Sequence, residues 1–168
     1  MKLTDLFLGD VQREAPGTRR ALERVPDGQF EWKPHPKSFS LGRLAGLVAS
    51  MPAWVAMMIN LDELDVAPKG GGNWGPSPRT SKELVDAHDA NVEKAVEALR
   101  KTNDDHLTKT WRMLAGGKVV SEQPRHIAIR DGAISHMAHH RGQLTVYLRL
   151  LDASVPSIYG PSADEGQF

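Results

Sequence analysis

The stretch Ile129 to Asp152, IRDGAISHMAHHRGQLTVYLRLLD, constrains the fold more than any other part of the 168-residue chain. Ala133, His136, Met137, His140, Leu144, Tyr147, Leu148 and Leu151 recur at steps of three and four, the period of a core-facing stripe on a long amphipathic helix. Such a stripe needs other elements to cover it. Two of its members are histidines one helical turn apart, so their ring nitrogens can converge on a point. An i, i+4 histidine pair is a recurrent way to present two nitrogen ligands to a divalent transition metal. The alternative is a pair of imidazoles hydrogen-bonded within the core. His139 is offset by roughly 60 to 100° around the helix and points to a neighbouring helix or to solvent.

Three further helices are predicted. Leu3, Leu6, Phe7, Val11, Thr18, Ala21 and Leu22 mark the first, from about Leu3 to Glu23, with Thr4 as its N-cap and a kink or break just before Pro16. Residues 26 to 39 hold three prolines and form an irregular connection that contains His35. Ser40 caps a second helix, about Leu41 to Leu61, in which Pro52 is expected to introduce a bend. The Gly/Pro-rich segment 66 to 79 reads as a surface loop. Its KGGGNWG run lacks the G-K-[ST] ending and the preceding strand of a phosphate loop. Thr80 and Glu83 have capping-box spacing and open a third helix with the stripe Leu84, His88, Val92, Ala95, Val96 and Leu99. His88 reads as a partly buried packing residue. Two short β-prone runs around Gly116-Gly117 allow a small hairpin at 108 to 120, with Trp111 as a packing lid. The last helix is predicted to run from Pro124 to about Asp152 and to form the centre of the fold, with His136 and His140 turned toward the second helix.

The pattern is all-α: a four-helix bundle with long connecting loops, as one domain over 1–168. Lys+Arg and Asp+Glu are both 21, so no basic excess exists to neutralise a phosphate backbone, which argues against nucleic acid as the main partner. The chain has no cysteine, so thiolate metal sites and a cysteine nucleophile are excluded, and a reducing cytosol suits it. No 18-residue run is uninterruptedly apolar, and acids interrupt the N-terminal stretch, so neither a membrane span nor a signal peptide is expected. A soluble, cytoplasmic protein is the expectation.

Several blocks together resemble the DinB/YfiT-like family: SHMAHHRGQLTVYLRLLD followed by VPSIYGPSADE, and, upstream, ERVPDGQFEWKPHPKSFSLGRLAG and MPAWV. The resemblance spans Glu23 to Glu165. It implies a four-helix bundle of the DinB/YfiT-like type, often a homodimer, and a metal-dependent activity related to thiol-dependent S-transferases or isomerases. It also implies a metal held by three histidines, two of which fall on His136 and His140. The third belongs in the second helix, where LGRLAGLVA places Leu47. Leucine cannot bind a metal, so zinc or nickel is expected to bind weakly or not at all unless His35, His88, a carboxylate or water completes the site.

Three functions stay open on these residues. The protein is a metal-dependent enzyme with a degraded histidine site, or a metal-free binder of a small molecule such as a thiol, with His136 and His140 as a hydrogen-bonding pair or general base. Otherwise it is a dimeric structural or stress-response module. Arg141 either reaches an anionic substrate or pairs with an acid of a neighbouring helix. Gly142 is expected to let a neighbouring helix approach.

Overall fold

A computed structural model describes residues 2–71 and 77–166, so part of the predicted 66 to 79 loop lies outside the described residues. The order is α1 (Leu3–Glu23), α2 (Leu41–Asn60), β1 (Glu63–Asp65), α3 (Ser81–Lys101), α4 (Asp104–Leu107), β2 (Thr110–Ala115) and β3 (Lys118–Pro124). Then come α5 (Arg125–Ile129), a π-helical turn (Arg130–Ser135) and α6 (His136–Leu150). The fold is mostly helical with a small three-stranded sheet, which corrects the all-α expectation.

The centre is α2 and not the last helix. It packs against α1, α3, α5, the π turn and α6. Eleven of its twenty residues are buried, from Leu41 to Ile59, so it is apolar nearly all round, as a surrounded helix must be. By length and composition α2 could cross a membrane, but 56% of the relevant window is buried inside the protein, as befits a core helix. It contributes to two apolar clusters. One gathers Phe7, Val55, Leu99, Leu107, Trp111 and Ile129; the other gathers Leu22, Leu41, Leu44, Leu84, Leu144 and Leu148.

The helix ends show where local signals suffice and where they do not. Ser40 Oγ accepts from the Arg43 N–H at 3.3 Å, and Thr80 Oγ1 from the Glu83 N–H at 3.1 Å. Glu83 does not close the box, because its carboxylate accepts from the Arg79 N–H at 2.7 Å. Thr4 is not the cap of α1. The Asp104 carboxylate, a hundred residues away, accepts from the N–H groups of Leu3 and Thr4 at 3.0 and 3.1 Å. Those bonds, Leu3 foremost, hold Asp104 below the usual carboxylate range, where it is a permanent anion at the positive end of α1. Neither Pro16 nor Pro52 breaks its helix. Tertiary packing on Gly17, Thr18, Ala21 and Leu22, and on Met51 and Val55, holds the flanking turns in place.

The hairpin forms as predicted, with Gly116 and Gly117 at φ +61° and +80°, which L-residues rarely adopt. β1 adds to it in parallel, pairing Glu63 to Asp65 with Arg112 to Leu114. The Asp65 carboxylate accepts from the N–H groups of Gly116 and Gly117 and so ties the turn to β1.

The last helix runs without a break from Arg125 to Leu150, but its hydrogen bonding widens in the middle. The π turn sits between α5 and α6, ending immediately before His136. Its Gly132 leaves room for Met58 of α2, whose Cε would lie 2.9 Å from a Cβ at that position. Such wide turns recur at functional sites.

Two glycines make opposite predictions. A Cβ on Gly42 would lie 2.7 Å from Phe30 Cδ1, 3.0 Å from its Cβ and 3.1 Å from its carbonyl oxygen, while the Gly42 N–H donates to that same oxygen. Gly42→Ala is expected to lower unfolding free energy by about 1–3 kcal/mol through overpacking. Gly142, expected to admit a neighbouring helix, instead has nothing among the described residues within 4 Å of a Cβ. Gly142→Ala is expected to raise stability by about 0.5–1 kcal/mol. Denaturant melts of the two variants check both signs.

Candidate functional site

His136 and His140 stand side by side at the start of α6, with ring centroids 4.6 Å apart and Nε2 atoms 2.9 Å apart. His140 is buried and His136 half-buried. His140 Nδ1 lies 2.7 Å from Gln143 Oε1, and Gln143 Nε2 lies 3.1 Å from His139 Nε2. These contacts fix a direction for every proton. An amide oxygen only accepts, so His140 carries its proton on Nδ1 and offers a lone pair at Nε2. His136 therefore donates its Nε2–H to that lone pair, which leaves its own lone pair on Nδ1. Gln143 donates onward to the exposed His139. The result is one hydrogen-bonded row: His136, His140, Gln143, His139.

The pair faces α2. Trp54 meets His136 edge-on, with centroids 5.8 Å apart, and Phe39, just before α2, lies 6.3 Å from His140. Arg43 stacks over Phe39 at 4.1 Å. Arg43, Leu47, Ser50 and Trp54 lie on one strip of α2 at spacings of four, three and four. The half-buried Leu47 lies on that strip, between Arg43, which stacks on Phe39, and Trp54, which meets His136.

The other candidates lie elsewhere. His35 is exposed, and its Nδ1 accepts from the Lys37 N–H. His88 is fully buried, with Nδ1 3.2 Å from Asp89 Oδ1, in a separate cavity between α1, α2, α3 and the π turn. Among the described residues no three His, Asp or Glu side chains are grouped to hold a metal ion. The residues present therefore do not fit the three-nitrogen metal centre that the family resemblance implies: two nitrogens converge, and among the described residues no third ligating side chain joins them.

Arg141, next to the pair in sequence, faces away from it toward α1. Its buried guanidinium pairs with Glu14 at 2.7 Å and donates to Thr18 Oγ1 at 2.9 Å, and the Tyr159 hydroxyl covers it. It is a structural arginine paired with an acid of a neighbouring helix.

The family model described as DinB family matches residues 1–167. The chain belongs to the DinB family. It is 27% identical over 161 residues to the uncharacterized protein YrdA of Bacillus subtilis (strain 168), covering 96% of this chain and 90% of that protein. Among solved structures it resembles a DinB-like protein from Bacillus cereus ATCC 10987 with a TM-score of 0.69 and 24% identity, over 91% of this chain and 95% of that one. The DinB-like protein YjoA of Bacillus subtilis gives 0.68 and 18%, over 91% and 97%. Those two likenesses concern the fold.

Within this DinB fold, sequence reading locates the pair but misses its setting. Gln143 carried a signal, since it lies three and four residues after His140 and His139. Nothing local marked Trp54 as a neighbour of His136 or Phe39 as a neighbour of His140.

Burial holds the His140 imidazole below the ordinary histidine range; His136 and His139 push the same way, and the Gln143 bond opposes them. Burial likewise lowers His88, against the pull of Asp89. Below about pH 6.5 the unfolded chain therefore takes up protons that the native protein refuses. Stability is thus full above that value and falls as pH drops toward the lowered native values. Denaturant midpoints measured between pH 7.5 and 5 are expected to decline, with a shallower decline in His88→Leu and in His140→Asn.

Proposed function

We propose that this DinB-family bundle acts on a small molecule through a metal-independent proton relay at His136 and His140, with a thiol or a water molecule as the group that loses its proton. The observation that carries this reading is the Nε2–Nε2 contact of 2.9 Å, with His140 held in its tautomer by Gln143. In the relay, the S–H or O–H proton passes to His136 Nδ1 while the His136 Nε2–H passes to His140 Nε2. The products are a thiolate or hydroxide and a protonated His140 whose Nδ1–H remains on Gln143. Trp54, Leu47 and Phe39 supply the apolar wall beside the relay, where a thiolate is poorly hydrated and correspondingly nucleophilic. Burial lowers His140, so its ring is neutral at pH 7 before the transfer, as a base must be.

One observation favours a second reading, a weak divalent-metal site. Gln143 sets His140 in the tautomer that a metal ligand has, with the outer nitrogen engaged and Nε2 bare. His136 would first have to move its proton from Nε2 to Nδ1.

Two measurements separate these readings. Ring-nitrogen NMR at pH 7.5 is expected to show His136 protonated at Nε2 and His140 bare there, with no change on adding one equivalent of zinc. Turnover of a low-molecular-weight thiol with an aromatic electrophile is expected to survive EDTA and to vanish in His140→Ala. Loss of turnover in EDTA, restored by zinc, would overturn the relay and support the metal.

Leu47→His tests the position itself. The variant replaces a half-buried leucine side chain, whose full burial would be worth roughly 1.5–3 kcal/mol, so without metal it is expected to melt somewhat below the parent. With its third nitrogen in place, zinc is expected to restore about 4 kcal/mol at a thousandfold excess over Kd. The parent is expected to gain little, and adding His140→Ala to the variant is expected to abolish the gain. Thermal melts with and without zinc read all three.

A further inference from the structure

His88 is among the most deeply buried polar side chains of the protein, at 1% exposure, and it does something that packing does not explain. Its Nδ1 faces the Asp89 carboxylate at 3.2 Å and donates to it, since a carboxylate only accepts. Its Nε2 is consequently a bare lone pair, and that atom has no hydrogen-bond partner. The ring lines a cavity of about 20 Å³ between α1, α2, α3 and the π turn, which neither His136 nor His140 lines. Met51 and Met137 wall the same cavity, and the rest of the wall is mainly apolar, with Val55, Val92 and Ala133. Glu14 is the one acid there, and its carboxylate is already engaged by Arg141 and by the Tyr159 hydroxyl.

Each feature narrows the occupant. A space this small admits one ion or one water, not an organic molecule. A histidine whose outer nitrogen donates to a carboxylate while the inner one is bare has the arrangement of a metal ligand supported from behind. The remaining donors available are thioethers, which select soft ions and above all Cu(I). A dication among neutral ligands and apolar walls carries a desolvation penalty several times that of a monocation, because the penalty scales with the square of the charge. Methionine has three rotatable bonds, so both sulfurs can turn inward without moving the backbone, Met137 giving up the weak contact its sulfur accepts from the Thr18 hydroxyl at 3.9 Å.

We propose that His88, Met51 and Met137 form a buried site for a soft monovalent cation, Cu(I), separate from the His136–His140 pair. His88 Nε2 supplies the nitrogen, Met51 and Met137 supply the two sulfurs, and Asp89 orients the ring. The site lies against the π turn through Ala133 and Met137, so filling it stiffens the segment that carries His136.

The probe is Ag(I), a redox-inert monovalent stand-in, added to the whole protein with methyl-labelled methionine, followed by Cu(I) competition against a chromogenic chelator under anaerobic reducing conditions. All measurements are made in parallel on a His136→Ala/His140→Ala background, because two imidazoles alone can bind Cu(I). One equivalent of Ag(I) is expected to shift the methyl signals of Met51 and Met137 and no others, in both backgrounds. Met51→Leu/Met137→Leu, a volume-conserving change that keeps the fold, is expected to weaken Cu(I) binding at least tenfold, in line with losses typical of even outer-sphere changes. Three results would each overturn the proposal: no methyl shift, which leaves the cavity to a water molecule; unchanged affinity in the double leucine variant; or binding that disappears in the His136→Ala/His140→Ala background.

Discussion

The placement of everything downstream of the sheet depends on one buried guanidinium. Arg125 opens α5 with no solvent exposure and spends its donors on backbone: Nε to the Met58 carbonyl at 2.6 Å, Nη1 to that of His106 and Nη2 to that of Leu61, both at 3.2 Å. Nη2 also meets the Asp62 carboxylate at 2.7 Å. Met58 and Leu61 lie at the C-terminus of α2, where the carbonyls are unpaired and the helix dipole is negative, so a cation there is stabilised twice over. A burial that would be ruinous for an unsatisfied charge is tolerable because the planar fork finds acceptors on several sides. The consequence is geometric: the start of α5 is fixed to the end of α2, and the π turn and α6 follow from that point.

From that anchor α6 is held on two faces by different chemistry. Toward α1, Arg141 reaches Glu14 and Thr18 beneath Tyr159. The tail that brings Tyr159 there is itself tied by the Arg24–Glu165 and Arg149–Asp164 pairs and by Ile158, which packs against Gly17. Toward α2, His136 and His140 meet Trp54 and Phe39. The charged contact and the neutral contact are neighbours in sequence but lie on different faces of the helix. Glu14 neutralises Arg141 locally, so the histidine pair sits beside a salt bridge and not beside a bare cation.

The long helices were legible because their stripes repeat over twenty residues, and a repeat of that length survives a proline that local rules would treat as a break. β1 was not legible: three residues carry no period, and its existence depends on β2 already being in place. Nor was the cap of α1, since the acid that supplies it comes from Asp104. The π turn is invisible locally because Gly132 is explained only by Met58 of another helix. For the site, spacing alone put His136 and His140 on one face, and the resemblance pointed to Leu47 on the helix opposite. Arg125 stayed hidden because an arginine at a helix start ordinarily faces water, and only the tertiary arrangement of carbonyls around it shows otherwise.

The choice of tautomers explains why the pair looks as it does. Two imidazoles whose lone pairs converge repel each other unless something positive lies between them, either a metal ion or a proton. A metal ion at that point needs further donors to replace its water, and two imidazoles fall short of the usual three protein ligands. A proton needs no third donor. One tautomeric choice, His136 protonated at Nε2 and His140 at Nδ1, turns the repulsion into a hydrogen bond, and Gln143 makes that choice by accepting from His140 and no other ring.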